Sequence, residues 1–303
     1  MAADILRFNA WGRRQIADRS ESLQSTIGEL RDSQKFGDYF FRHYLIPMTS
    51  AIWSSTALDS ECFPLPLFLK FFANHGLLQI HGHPQWRTIV GGSQRYIDAL
   101  IRPLHKCIRL RTTVDSIQRN DSGVKVHTAN NGWENYDKVV IATHADHALN
   151  LLETPTQDEI DSLGSIPYRK NVATLHTDST VLPNAPRAWA SWNYNIENCC
   201  SSQAPLRMTY YLNRLQRLST KKHYCVSLNA ETLINPARIV ASIPYEHPVY
   251  TPAGLHAREA IRSMSGQNHT FYCGAHLGNG FHEDGVVSGL AIRRTLDGMQ
   301  EAA

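Results

Sequence analysis

The chain lacks a long apolar run, a strong charge of either sign and any block of basic residues. Its longest apolar stretch, residues 63–72, reaches about half of the ~20 residues that a membrane span needs, and it contains Lys70 and two prolines. We therefore predict that no segment crosses a membrane. The net charge of +3 is too small for a protein that binds nucleic acid through phosphate contacts, so this class of function is disfavoured.

The six cysteines form no Cys-x-x-Cys pair, and the adjacent Cys199 and Cys200 cannot form an ordinary bridge with each other. The first residues show no basic segment followed by an apolar core, which is the pattern of a secretory leader. We expect free thiols and a cytoplasmic chain, with a peripheral membrane location as the alternative.

Charged residues are also scarce, at 19% of the 303 residues against an average of about 25%. Hydrophobic residues make up 42%, which is enough for a sizeable core and excludes disorder for most of the chain. The surface must therefore carry a large share of neutral and aromatic groups. This composition suggests an occluded site or a missing neighbour.

The first part of the chain has the periodicity of helices. Residues 4–46 carry apolar side chains at helical spacing, and Thr26 and Glu29 have the spacing of a capping box. Pro47 is expected to end this run, because proline lacks the amide proton that a helix needs. A second, apolar helix is predicted over 64–76. We interpret it as a core element, with a tunnel for a hydrophobic substrate or docking on a membrane surface as alternatives.

Strands and turns follow over residues 86–150. A strand is predicted at 86–90, then a tight turn at Gly91 and Gly92, then a helix that reaches about Leu104. Alternating polar and apolar residues over 113–136 predict a three-stranded meander. The apolar run at 138–143 predicts a strand buried on both faces, as in a parallel sheet.

A strand, a glycine-rich loop and a helix close the chain. The strand is predicted at 270–274, the loop contains Gly274, Gly278 and Gly280, and the helix begins around Asp284. Glycine lets a backbone approach a ligand closely, and a helix start offers unpaired amide donors and a positive dipole end. On these residues alone, the loop is either a ligand-binding loop or an ordinary strand-to-helix connection.

Two other chemistries find little support in the sequence. His81 and His83, and the cluster that begins at His282, offer ligand types without the spacing of a zinc site, so no metal is expected. No Gly-x-Ser-x-Gly elbow is present, which disfavours a Ser-His-Asp hydrolase.

A series of short motifs, in order along nearly the whole chain, resembles the flavin-containing amine oxidase superfamily of FAD-dependent oxidoreductases. Its bacterial subgroup of NAD/FAD-binding, amine-oxidase-like proteins is the most similar. The motifs lie at residues 43–48, 51–54, 74–78, 84–88, 91–93, 139–146, 188–194, 273–275, 280–285 and 288–289. The resemblance implies an α/β fold of mixed α+β content, with an incomplete Rossmann-like sheet in the cofactor part and a mixed sheet with helices in the substrate part.

The resemblance also implies a division of the chain and a site. Residues 1–85 would be the helical part of the substrate domain, 86–150 a segment of the FAD domain, 151–268 the rest of the substrate domain, and 269–303 the closing strand, loop and helix of the FAD domain. The implied cofactor is FAD, and the implied reaction removes a hydride from a C–N or C–C bond of a small or lipid-like substrate. No side chain stands out as a catalytic base. The residues implied to bind FAD are Trp86, Arg87, Gly91, Gly92, Val114, Gly274, Gly280, Phe281, His282, Glu283 and Asp284.

The chain departs from the family in one respect. Family members begin with a strand-helix-strand unit that carries a Gly-x-Gly-x-x-Gly fingerprint, and no segment here matches it. We therefore expect a family member without its amino-terminal dinucleotide-binding segment. The alternative to a self-sufficient enzyme is a truncated or split form, which needs a separately encoded segment or acts as an interaction protein.

Overall fold

The computed structural model describes residues 1–18, 25–33, 35–195 and 207–301. Cys199 and Cys200 lie outside these residues, as does part of the helical run predicted over 4–46. The α-helices of the described residues are α1 (Ala2–Ala17), α2 (Ile27–Asp32), α3 (Asp38–Phe40), α4 (Ile46–Trp53), α5 (Ala57–Glu61), α6 (Leu65–Asn74), α7 (Gln94–Ile101), α8 (Ala145–Leu151), α9 (Gln157–Leu163), α10 (Leu212–Leu215), α11 (Pro252–Met264) and α12 (His282–Glu301). The strands are β1 (Val114–Asn120), β2 (Gly123–Thr128), β3 (Gly132–Tyr136), β4 (Val139–Ile141), β5 (Tyr168–His176), β6 (Trp192–Tyr194), β7 (Met208–Tyr211), β8 (Cys225–Leu228), β9 (Ile239–Pro248) and β10 (Thr270–Tyr272).

The chain divides into two compact units, each made of two stretches. Unit 1 comprises Met1–Arg95 and Tyr168–Val249, and unit 2 comprises Tyr96–Pro167 and Tyr250–Ala303. The substrate-domain and FAD-domain roles that the resemblance implies for residues 1–85, 86–150, 151–268 and 269–303 stay predictions. Helices and sheets occur in both units, which confirms the predicted mixed fold class.

Aromatic side chains hold the helices of unit 1 together. Phe8 of α1 is fully buried, and the centroid of its ring lies 5.5 Å from that of Phe40 and 6.2 Å from that of Phe68. Burial of such a side chain contributes roughly 1.5–3 kcal/mol. The residues that α6 buries are Leu65, Phe68, Leu69, Phe71 and Phe72. The apolar helix is therefore a core element, as predicted. No helix of the described residues has both the length and the apolar character that a membrane span requires.

The prediction that Pro47 ends a helix is wrong. α3 passes into a π-helical turn at Phe41–Leu45, and α4 then continues to Trp53. A π turn pairs residues five apart, so the hydrogen-bond pattern changes just before the position where Pro47 has no amide proton to donate. The helix ends instead at Ser54, which adopts a left-handed conformation with φ of 52°.

Unit 1 also contains a five-stranded antiparallel sheet in the order β6, β7, β8, β5, β9. β9 is an edge strand of this sheet and the longest of its five strands. It was not predicted from the sequence, because Pro244 and Pro248 interrupt the residue pattern that is typical of a strand. Proline cannot donate to a strand ladder, so it is confined to positions such as an edge strand. The edge position of β9 is thus the reason why two prolines are compatible with it.

Unit 2 contains the predicted meander, in which β1, β2 and β3 pair antiparallel in sequence order. Separately, β4 and β10 form a two-stranded parallel sheet in which Val140 lies opposite Phe271. The parallel pairing of the strand predicted at 138–143 is confirmed, but burial on both faces is wrong. Val140 is 45% exposed, although all three residues of its partner strand β10 are buried.

The strand predicted at 86–90 is also wrong. These residues are irregular and exposed, and no described strand pairs with them. A strand needs a hydrogen-bonding neighbour, and its β-branched composition alone does not provide one. The turn that follows is present, because the amide of Gly92 donates to the carbonyl of Ile89 at 2.9 Å. The helix predicted after Ser93 is confirmed as α7.

Candidate functional site

The candidate site is the connection between β10 and α12, residues 274–284, which we call the closing loop. A short 3-10 turn at Ala275–Leu277 starts it, and the amide of Gly280 folds back to donate to the carbonyl of Ala275 at 3.1 Å. The amide of Gly274 donates to the hydroxyl of Ser288 at 3.0 Å, which ties the beginning of the loop to the second turn of α12. The loop therefore has a fixed backbone path.

The start of α12 lies at the end of the closing loop. Asp284 accepts a hydrogen bond from the amide of Phe281 at 3.0 Å, and His282 is 2.5 Å from the hydroxyl of Tyr96. His282 and Glu283 are exposed. A helix of 20 residues has unpaired amides and a positive dipole end at its first turn. The predicted residues from Gly280 to Asp284 thus form one accessible helix start.

The glycines of the loop make room for polar side chains of the protein itself. A Cβ atom added at Gly274 would lie 2.6 Å from the ring of His276, and one added at Gly280 would lie 2.6 Å from the hydroxyl of Tyr250. A Cβ at Gly278 would overlap the carboxyl group of Asp284. Gly280 also has a φ of 92°, which favours glycine. The glycine pattern therefore has an internal reason that the sequence analysis did not foresee.

Beneath the loop lies a group of three buried residues, Tyr250, Arg258 and His276, which we call the buried cluster. The guanidinium carbon of Arg258 lies 4.4 Å from the centroid of the Tyr250 ring. Arg258 is 6% exposed, its Nε has no hydrogen-bond partner, and it forms no ion pair with any described residue. Burial lowers its pKa. The carboxylate of Asp284 favours the charged form of Arg258 without forming an ion pair with it. A buried cation that lacks a direct ion pair is costly, so the cluster favours a further anionic group near Arg258.

His276 contributes a second open position in the cluster. Burial, together with the nearby positive charge of Arg258, lowers the pKa of His276 to about 4. Its imidazole is therefore neutral at neutral pH, with one nitrogen as donor and the other as acceptor. The Nε2 atom is buried and has no partner among the described residues. This nitrogen can hold or accept a proton from a group that enters the cluster.

The buried cluster was missed by the sequence analysis. Tyr250 precedes α11 and Arg258 lies within it, and folding brings both against a loop that follows about twenty residues later in the chain. No local pattern marks these two residues. His276 lies inside the glycine motif, and a polar residue between two glycines was the available signal.

The other predicted FAD residues belong to other segments of the chain. Trp86, Arg87, Gly91 and Gly92 belong to unit 1, where Trp86 is 65% exposed. An added Cβ at Gly91 would meet the side chain of Arg95, whereas Gly92, with a φ of 83°, faces open space. Val114 begins β1 in unit 2. The predicted residues from Gly274 to Asp284 share one loop and one helix start in unit 2.

Unit 1 contains a Ser-His-Asp grouping, but its hydrogen bonds have the wrong direction for a hydrolase. The amide of Asp178 donates to Nδ1 of His176, so the proton is on Nε2, which donates to the hydroxyl of Ser227 at 2.9 Å. A general base would have to accept the serine proton instead. His176 is fully buried, which also lowers its pKa. The neighbouring Cys225 is no nucleophile, because burial raises its pKa to about 11.

The cysteines of the described residues, Cys62, Cys107, Cys225 and Cys273, are all free thiols, as predicted.

Comparison with known proteins gives a family and a fold. The family of flavin containing amine oxidoreductases matches residues 9–205, which is more than half of the chain. No curated protein sequence matches. The chain is similar in structure to a CLA-producing fatty acid isomerase from P. acnes, with a TM-score of 0.61, 13% identity, and coverage of 96% of this chain and 74% of that one.

Two amine oxidases share this similarity. Cyclohexylamine oxidase from Brevibacterium oxydans IH-35A has a TM-score of 0.60 and 12% identity, over 91% of this chain and 69% of that one. A double mutant of putrescine oxidase has a TM-score of 0.61 and 11% identity, over 92% and 68%.

The fold and the family match together define an FAD-dependent oxidoreductase. The chain belongs to the flavin-containing amine oxidoreductase family, and its cofactor is FAD. The predicted superfamily, enzyme class and cofactor are therefore confirmed.

The residues of the closing loop fit one part of FAD better than another. Glu283 and Asp284 place two carboxylates at the start of α12, and carboxylates accept hydrogen bonds from hydroxyl groups such as those of the ribityl chain. The same two negative charges do not suit a diphosphate, although a helix start alone would. These two hydrogen-bond acceptors thus fit the polyhydroxyl part of the cofactor.

Proposed function

We propose that the chain oxidises a C–N or C–C bond of a small or hydrophobic substrate, with FAD held at the closing loop. The observation that carries this proposal is the fixed glycine loop in front of an accessible start of a long helix, in a chain of the flavin-dependent family. Bound FAD supplies the chemistry, because its ring takes up a hydride from the substrate.

The residues of the loop and of the buried cluster would have different roles. Glu283 and Asp284 would accept hydrogen bonds from cofactor hydroxyls, and the positive end of α12 would favour negative charge on the reduced cofactor. Arg258 would balance an anionic group next to the loop, and His276 would hold a proton at Nε2.

The substrate class stays broad. The similar proteins are described as a fatty acid isomerase, a cyclohexylamine oxidase and a putrescine oxidase, so one fold is associated with an acyl chain, a cyclic amine and a linear diamine in those proteins. At such low identity, these names do not select one of them for this chain.

The test is flavin binding to the purified chain. After incubation with FAD and desalting, we expect the visible absorption of bound flavin. Asp284→Asn should lower the bound fraction, because the substitution removes a carboxylate at the start of α12. Asp297→Asn, near the other end of the same helix and paired with Arg293 on the surface, is the matched control and should bind as the wild type does. A folded chain that retains no flavin would contradict the proposal of a self-sufficient enzyme.

A second candidate is a form that needs a separate dinucleotide-binding segment. Two observations on the described residues favour it. In the two-stranded sheet, β4 and β10 each keep one unpaired edge, although parallel sheets are usually larger and covered on both faces. The helix α7 buries none of its residues, and its apolar side chains Ile97, Leu100 and Ile101 are exposed.

This second candidate has its own measurement. FAD would be titrated into the chain alone and into the chain mixed with a Gly-x-Gly-x-x-Gly segment taken from another family member. Flavin retention that requires the added segment would support the split form. Retention by the chain alone would exclude it.

A further inference from the structure

An open cavity of about 350 Å³ lies in unit 1 against one face of α1. We call it the basic groove, and its lining residues are Arg7, Ala10, Trp11, Arg14, Lys35 and Phe36. Arg7, Trp11 and Arg14 are spaced four and three residues apart, so the helix presents them on the same side. The small side chain of Ala10 leaves space between them. The volume falls in the range of about 300–1,000 Å³ that is typical of small-molecule sites.

The apolar walls of the groove are two aromatic rings. Trp11 and Phe36 meet edge to face, with centroids 5.9 Å apart and planes at 69°. Phe36 is buried, and its ring also contacts those of Phe8 and Phe40 at 5.7 and 5.5 Å. The core therefore fixes this wall in place. Such a pair offers a flat apolar partner a preformed surface.

The charges of the groove are not balanced. Arg7 is committed, because it pairs with Asp4 at 3.0 Å and donates to the carbonyl of Lys35 at 2.8 Å. The ammonium of Lys35 lies 5.7 Å from the centroid of the Trp11 ring. Neither Lys35 nor Arg14 forms an ion pair with another described residue. Among the described residues, the groove thus places two cations without an ion-pair partner beside an aromatic wall.

We propose that the basic groove binds a small molecule that carries one carboxylate on a flat apolar body. The carboxylate would pair with Arg14 and Lys35, and the apolar body would pack on Trp11 and Phe36. Charge complementarity requires an anion, and the edge-to-face ring pair favours a flat apolar group over a bare phosphate. The closing loop contributes no residue to this site, so the proposal is independent of FAD.

The test is calorimetry of the purified chain with 2-naphthoate, which combines the two features. We expect binding that weakens as salt is added, because the contact is partly electrostatic. The neutral analogue 2-naphthalenemethanol and the ringless acetate should each bind at least roughly tenfold more weakly, since each lacks one feature. No binding of 2-naphthoate at millimolar concentration overturns the proposal.

Variants locate the site. Lys35→Met and Arg14→Met keep the length of the side chains and remove their charge, so each should raise the dissociation constant of 2-naphthoate roughly tenfold. Lys170→Met, at an exposed lysine of β5, is the matched control and should have no effect. Urea unfolding checks that all variants remain folded. Unchanged affinity in the Lys35 and Arg14 double variant overturns the proposal, as does binding to phosphatidylserine vesicles without binding of 2-naphthoate.

Discussion

Two buried polar groupings, one in each unit, differ in how completely their hydrogen bonds are satisfied. In unit 1, both ring nitrogens of His176 have partners, and Ser227 is also 2.7 Å from the hydroxyl of Thr209. In unit 2, Arg258 and His276 each keep a buried nitrogen without a partner. Both groupings contain a histidine whose pKa is lowered by burial.

The difference separates a structural role from a binding role. Buried polar groups normally have hydrogen-bond partners, and a satisfied network stabilises the fold and leaves nothing for a ligand. Unsatisfied atoms in a native structure call for an explanation, and a ligand is one. The resemblance of the first grouping to a Ser-His-Asp triad is therefore misleading, while the buried cluster, which has no familiar motif, is the better candidate.

The largest expected effect concerns a third grouping, which is satisfied and belongs to unit 2. Arg119 pairs with Glu159 at 2.5 Å, and the hydroxyl of Tyr272 donates to the same carboxylate at 2.6 Å. We predict that Glu159→Gln lowers the free energy of unfolding by about 3–5 kcal/mol, because it leaves the Arg119 guanidinium buried without a counter-charge. Urea unfolding measures this change.

The matched control for that substitution is Glu153→Gln. Glu153 is exposed and accepts hydrogen bonds from Ser116 and Gln118 at 2.7 and 2.8 Å. A surface contact of this kind should change the free energy of unfolding by less than about 1 kcal/mol. Equal losses in the two variants would mean that completeness of a buried network does not govern stability here.

The next effect is a pH dependence that arises from His276. In the unfolded chain the pKa of His276 is about 6.5, so the unfolded state is protonated below about pH 6.5, whereas the folded state becomes protonated only near pH 4. The free energy of unfolding should therefore fall as the pH decreases from about 6.5 to about 4, by roughly 3 kcal/mol from this residue, and be unaffected above that window. Unfolding of the wild type and of His276→Gln at a series of pH values measures it. Parallel profiles for the two proteins would show that His276 is not the buried neutral group described.

The features that could be predicted from the sequence are those formed by residues close to one another along the chain. The capping box is an example, because Thr26 and Glu29 each accept a hydrogen bond from the amide of the other, at 3.2 and 2.8 Å. The meander is another, because hairpin turns and alternation are local signals. The glycine motif likewise located the closing loop.

The part that it did not predict depends on tertiary contacts. The strand expected at 86–90 pairs with no described strand. β9 was not predicted because it contains two prolines, which a strand tolerates at the edge of a sheet, and the sequence does not show that β9 lies there. The buried cluster could not be foreseen either. Its decisive property is that Nε of Arg258 and Nε2 of His276 have no hydrogen-bond partner among the described residues. A sequence does not show which hydrogen bonds remain unmade.

A smaller effect is expected from the satisfied grouping of unit 1. Ser227→Ala removes the acceptor of the His176 Nε2 proton and should lower the free energy of unfolding by about 1–3 kcal/mol. Ser122→Ala is the control, because Ser122 is exposed and contacts Asn120 in a turn. Flavin retention at saturating FAD should be the same in both variants. Loss of flavin in the Ser227 variant alone would assign this grouping a functional role that its closed hydrogen bonds argue against.

The smallest change in the free energy of unfolding is expected for substitution of Arg258, and it is measured against the same substitution of Arg119. Both are buried arginines of unit 2, and only Arg119 forms an ion pair with a described residue. Arg119→Met leaves Glu159 as an unpaired buried charge and should lower the free energy of unfolding by about 3–5 kcal/mol. Arg258→Met removes a cation that forms no ion pair with any described residue, and apolar replacement of a buried charge is often neutral or stabilising, so a change within about 1 kcal/mol is expected. Urea unfolding without FAD compares the two variants directly. A loss at Arg258 as large as that at Arg119 would show that Arg258 is structural, whereas unchanged stability with weaker FAD retention is the result that an open, ligand-facing cluster predicts.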